Sequence, residues 1–131
     1  MNWNEYIGLP YREGARGPEA YDCYGIVATV FEAARGIRLP DWYQSAPGPL
    51  GASRAISAAL VGEVDGGRSV PVSEPQDWDI AVVGSRLRPH HVGLYVDGGV
   101  LHASRQFGSS WHPLTRFKML YPHTEFYRWQ P

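Results

Sequence analysis

The sequence predicts an α+β domain, with helices first and an antiparallel sheet after them. Two observations carry this. Residues 22–35 hold apolar side chains at helical spacing, with Cys23, Val27, Val30 and Ala34 on one face. From residue 80 the period changes, and the runs at 80–83, 92–96 and 100–103 read as strands. Helical and strand segments separated along the chain, rather than alternating, give an α+β order.

The elements follow in turn. Residues 2–7 read as a short helix with Trp3, Tyr6 and Ile7 on its apolar side. Gly8-Leu9-Pro10-Tyr11-Arg12 turns the chain into an extended piece, and 12–19 is a loop rich in glycine and charge. In the 22–35 helix, Asp22 can accept from the orphan N–H groups of the first turn. Ile26 and Phe31 widen the apolar stripe, Arg35 suits the negative end, and Gly36 can supply a left-handed cap. The β-branched Val27, Thr29 and Val30 make it a poor isolated helix, so packing must hold it.

Residues 37–51 are Pro-rich and aromatic and read as an ordered surface loop; 52–61 reads as a second, shorter helix. A loop over 62–75 contains one strand at 69–72. Asp97-Gly98-Gly99 is a tight hairpin joining two strands, and pieces near 111–114 and 125–129 complete the sheet.

The chain has 131 residues, which fits a single domain, 1–131, with a real core. Apolar residues make up 44% and charged residues 19%, a globular balance. A net charge of −1 gives no electrostatic case for nucleic acid. One cysteine excludes an internal disulfide and argues against thiolate-rich zinc sites. No cofactor is expected. The N-terminus lacks a basic stretch followed by an apolar core, and no apolar run approaches the ~20 residues of a membrane span. Neither a signal peptide nor a span is expected, so the chain is expected in the cytoplasm at synthesis.

The chemistry centres on Cys23. A lone cysteine is more often a small buried residue than a nucleophile. Its position argues otherwise, because a thiol at a helix start, beside a histidinium, has a lowered pKa. His91 opens one strand-like run and His102 lies in the next. Pairing Val96 roughly with Val100 puts His102 opposite about Leu94, diagonal to His91 and Val92, so both imidazoles can face one site. One would be the base and the other its orienter. Each also has a plainer reading as a hydrogen-bonded, half-buried histidine. His90 competes with His91, since strand neighbours point to opposite faces. His112 and His123 read as surface residues. A zinc site from His91, His102 and His112 would need three strands to converge without a carboxylate at motif spacing, and is disfavoured.

At these residues the chain resembles the NlpC-type cell-wall peptidases, papain-like enzymes of bacterial peptidoglycan. The family's Gly-x-Pro-Tyr, Asp-Cys-Ser-Gly, Gly-Asp, His-Val-Gly-Ile-Tyr and Ile-His-Ala segments read here as Gly8-Leu9-Pro10-Tyr11, Asp22-Cys23-Tyr24-Gly25, Gln76-Asp77-Trp78-Asp79, His91-Val92-Gly93-Leu94-Tyr95 and Leu101-His102-Ala103. The resemblance runs from about Trp3 to His102, with a looser match at Tyr127-Arg128. It implies a papain-like fold with the cysteine helix packed on the sheet. It assigns Cys23 as nucleophile, His91 rather than His90 as base, and His102 as orienter. It also implies substrate contacts from Tyr11, Asp22 and Tyr24. Tyr24 replaces the family's usual serine, which would reshape the subsite on the N-terminal side of the cut. Arg12-Glu13-Gly14-Ala15 departs from the usual aromatic-Gly-Gly.

An aromatic after the cysteine and a Gly36-Ile37-Arg38-Leu39-Pro40 segment look like the phage-tail branch of the family. That implies a peptidoglycan peptide as substrate, other tail proteins as partners, and a virion or tail-like particle as destination. The implied activity is cleavage of the γ-D-glutamyl–diaminopimelate bond. Two further readings stand beside it. One is a structural tail component with weak or no activity, in which Trp42, Tyr43, Trp111 and Trp129 serve an interface. The other is an amidase or acyltransferase using the same thiol chemistry.

Overall fold

The computed structural model describes residues 2–40, 67–85 and 88–130. The predicted 52–61 helix, most of the 37–51 loop, and Trp42 and Tyr43 lie outside the described residues.

One turn of 3-10 helix, Trp3–Tyr6, precedes α1, Cys23–Arg35. Six strands follow: β1 (Ser69–Val72), β2 (Ile80–Ser85), β3 (Arg88–Val96), β4 (Gly99–Ser104), β5 (Gly108–Pro113) and β6 (Thr124–Trp129). A second helix, α2 (Leu114–Leu120), joins β5 to β6. The strands form one antiparallel sheet in the order β1-β6-β2-β3-β4-β5.

The α+β prediction is therefore correct, and α1 starts and stops where its caps require. The Asp22 carboxylate accepts from the Gly25 N–H at 2.6 Å, and Gly36 closes the helix at φ +68°. The sequence reading missed α2. Leu114, Phe117 and Tyr121 do lie at helical spacing, but seven residues give too short a window for the period to stand out.

Strand alternation sorts the core into two layers. Ile80, Val82, Val92, Leu94, Val96, Leu101, Ala103, Tyr127 and Trp129 pack with Cys23, Tyr24, Ile26, Val27, Val30 and Phe31 of α1. The opposite parity, Ala81, Val83, Val100 and Phe126, packs with Phe117 of α2. Asp79, 2% exposed, holds Arg128 through two bonds of 2.9 Å and so ties the start of β2 to β6.

The β3–β4 hairpin differs from expectation by one residue. Asp97 (φ +56°) and Gly98 (φ +81°) form a two-residue turn, and Gly99 already pairs with Val96. Leu94 therefore faces Leu101, which sets Gly93 beside His102. The difference matters because side-chain direction has period two. With His102 opposite Leu94, the two histidines would have pointed to opposite faces. In the observed register, His91, Gly93 and His102 share the face that carries α2.

Candidate active site

Gly93 makes the closeness of the strands possible. A Cβ there would sit 2.5 Å from Val100 Cγ1 and 3.2 Å from both His102 Cβ and the Leu101 carbonyl oxygen. The β3–β4 ladder has three residue pairs at its turn end, and past them an imidazole pair joins the strands. His91 Nε2 lies 3.0 Å from His102 Nδ1. His102 Nε2 lies 2.9 Å from His112 Nδ1, on β5. The three rings thus form one hydrogen-bonded row across β3, β4 and β5.

This row corrects one expectation. The sequence suggests a surface position for His112, but it is half-buried and bonded to His102. Its place could be found only from the β4–β5 register, which pairs His102 with Ser110 and Val100 with His112. His90 and His123 are exposed, whereas His91 is buried and His102 is fully buried. No cluster of three or more side chains suited to a metal ion occurs among the described residues.

Burial controls the charge of the row. Desolvation, with a smaller contribution from His90, lowers the His91 pKa to about 4. His102 is lowered further, by desolvation and then by its two histidine neighbours. At neutral pH both rings are therefore uncharged.

Cys23 is the first residue of α1, where the helix dipole is most positive, and is itself 2% exposed. Tyr121, the residue after α2, packs on the two histidines. Its ring lies 5.3 Å from that of His91 and 5.8 Å from that of His102. Burial raises its pKa, a hydrogen bond with Ser104 opposes this, and the charge of Cys23 raises it again. Tyr121 was not singled out from sequence.

The segment before α1 is held on the β5 edge. Gly8 N–H donates to the Ser109 carbonyl at 2.9 Å, Ser109 N–H to Leu9 at 2.9 Å, and Leu9 N–H to the Ser109 hydroxyl at 2.8 Å. Gly8, Leu9, Pro10 and Tyr11 form one wall of a cleft of about 630 Å³, with Arg105, Phe107 and Gly108 opposite. Phe107 connects cleft and row, its ring 5.0 Å from that of His112 and 6.4 Å from that of His102. Tyr11 donates to Glu13 at 2.7 Å, and the Arg105 guanidinium lies 5.2 Å from the Tyr11 ring centre.

Asp22 and Tyr24, the other two expected substrate contacts, are both buried. Asp22 is 2% exposed; besides Gly25 it accepts from Gly14 N–H at 3.1 Å and from Arg16 at 2.7 Å. Gly25 is small for a reason, since a Cβ would fall 2.3 Å from the Ala15 carbonyl oxygen that receives the Asp22 N–H. Tyr24 is buried; its hydroxyl donates to the Pro40 carbonyl and the Arg16 guanidinium lies over its ring at 5.5 Å.

Comparison with known proteins gives the family and the fold. A family model, the NlpC/P60 family, fits residues 8–119. The chain is 29% identical over 102 residues to a probable endopeptidase of Mycobacterium tuberculosis, covering 78% of this chain and 21% of that protein. It is 29% identical over 119 residues to the gamma-D-glutamyl-L-lysine dipeptidyl-peptidase of Bacillus subtilis, covering 88% and 34%. The chain thus spans between a fifth and about a third of these relatives. Among solved structures, the NlpC/p60 domain of the peptidoglycan hydrolase SagA superposes with a TM-score of 0.64 at 20% identity, covering 98% of this chain and 92% of that one. NlpC1 from Trichomonas vaginalis gives 0.62 at 20% identity, covering 97% and 42%. A match running through the Cys23 helix and the histidine strands makes the chain a member of the NlpC/P60 family, whose peptidases are cysteine hydrolases.

Proposed function

We propose that this chain is a cysteine peptidase that cuts peptidoglycan stem peptides at the γ-D-glutamyl–diaminopimelate bond, with Cys23 as nucleophile, His91 as base and His102 as orienter. The observation that carries it is the 3.0 Å His91–His102 bond on the β3–β4 strands, together with the one cysteine at the first position of α1. A neutral His91 can take the thiol proton as Cys23 attacks the carbonyl. The Cys23 N–H, at the positive end of α1, is a donor for the oxyanion. The imidazolium so formed protonates the leaving amine, and His91 then activates water to release the acyl group from the thioester. The cleft between Tyr11 and Phe107 is the place for the peptide. Tyr11, in the wall of that cleft, and Asp22 and Tyr24, at the start of α1, are the substrate-binding residues of this reading.

The bond assignment rests on the family resemblance and on the named activity of the Bacillus relative, which concerns a γ-D-glutamyl bond. Placement in a phage tail or tail-like particle rests on the aromatic at 24 and the Gly36–Pro40 segment, which pack together through the Tyr24–Pro40 bond. No described helix is long and apolar enough to cross a membrane.

Mass spectrometry of purified peptidoglycan fragments tests the activity. Incubation should release a free D-glutamyl γ-carboxyl and a free diaminopimelate amine, and Cys23→Ala should release neither. His91→Ala should lose about 10²–10⁴-fold, while His90→Ala should stay within a few-fold. Cleavage by Cys23→Ala, or the reverse histidine ranking, would overturn the assignment. Particles purified from producing cells should carry the chain; particles lacking it would refute the tail placement.

A further inference from the structure

We propose that His112 is a positioning residue that fixes the tautomer of His102 and, through it, the proton on His91. This rests on the reading of Cys23 and His91 as nucleophile and base. It adds a fourth member to the set, from a strand that carries none of the other three.

Proton counting carries the argument. His102 is fully buried, and each of its ring nitrogens faces another imidazole, at 3.0 and 2.9 Å. A neutral imidazole has one donor and one acceptor nitrogen. Its neighbours must therefore supply one acceptor and one donor, or a buried polar atom is left unmatched. Two arrangements satisfy this. In the outward one, His91 Nε2–H donates to His102 Nδ1, and His102 Nε2–H donates to His112 Nδ1. In the inward one every bond reverses.

Only the outward arrangement lets His91 work. When His91 takes the thiol proton it carries hydrogen on both nitrogens, so its Nε2–H needs an acceptor. His102 Nδ1 accepts only if the His102 proton sits on Nε2, and that proton then needs His112 Nδ1. The inward arrangement aims an N–H of His102 at His91 Nε2, and the imidazolium would meet a donor there. His112 thus holds open the one tautomer of His102 that can receive the proton-loaded base.

The surroundings favour His112 as a neutral acceptor. Desolvation and the charge of Arg116 on α2 both lower its pKa. Phe107 lies against its ring at 5.0 Å, and Phe117 against that of His102 at 5.0 Å, which limits rotation of both.

The test uses the whole chain and reads the thiol, so it needs no peptidoglycan. In ¹⁵N-histidine spectra at pH 7, His102 should carry its proton on Nε2. Iodoacetamide labelling of Cys23 should slow about ten-fold in His112→Leu, whose side chain cannot accept. His112→Asn, whose amide oxygen replaces Nδ1, should stay within about two-fold of wild type. In the Leu variant the His102 signals should show the Nδ1–H form. The proposal is overturned if wild-type His102 is protonated on Nδ1. It is also overturned if His112→Leu folds, melts lower and labels at the wild-type rate, or if Asn fails to rescue. Failure of stem-peptide cleavage with intact tautomer and labelling effects would instead sink the substrate assignment alone.

Discussion

Replacing Asp22 should be among the most damaging changes outside the reacting groups, and its cost can be worked from contacts. Its carboxylate accepts from Gly25 N–H at 2.6 Å, Gly14 N–H at 3.1 Å and Arg16 at 2.7 Å, at 2% exposure. Loss of the N-cap costs about 1 kcal/mol. The Gly14 bond adds about 1 kcal/mol. The Arg16 side chain is 31% exposed, so water screens much of its loss, and about 1 kcal/mol is a fair figure. Asp22→Ala should therefore lose about 3 kcal/mol. Asp22→Asn keeps one oxygen for the cap and should lose about half as much. Urea titration followed by tryptophan fluorescence and circular dichroism measures both, as a lower midpoint with an unchanged slope. Because the cap sits beside Cys23, the Ala variant should also label more slowly with iodoacetamide. A loss under about 1 kcal/mol for Ala, or equal losses for Ala and Asn, would refute this accounting.

Two other perturbations test the packing of the site. Stability should fall with pH, because the unfolded chain protonates His91 near 6.5 while the folded chain holds it neutral down to about 4. Its contribution is fully present above 6.5, is lost progressively as pH falls, and reaches about 3 kcal/mol of loss by pH 4; His102 and His112 are shifted the same way and add to it. A urea midpoint that stays flat from pH 7 to pH 5 would contradict burial of the row. Gly93→Ala should cost about 1–3 kcal/mol, because its Cβ meets Val100 Cγ1 at 2.5 Å. Adding Val100→Ala should relieve part of this, so the double-mutant cycle should show favourable coupling, and strict additivity would mean the clash is absorbed elsewhere.

Much of this molecule was legible in its sequence, where the determinants are local. Asp22, the apolar stripe from Cys23 to Ala34, and Gly36 define α1 by capping and period, and they put the one thiol at the helix start. The strand runs at 80–83, 92–96 and 100–103 follow from β-branched patterning, and the spacing of the motifs led to the family. The tertiary structure decided what depends on register and on which surfaces meet. A two-residue Asp97-Gly98 turn, rather than a three-residue one, put His91 and His102 on one face. Pairing of β4 with β5 brought His112 to His102, and the short helix α2 set Tyr121 against His91. A single-residue slip reverses every side chain on a strand, and no local pattern records which strand lies alongside. The charge state of the site was also a tertiary matter: a histidine's type says it can titrate near neutrality, and only its burial, here at His91, makes it a neutral base.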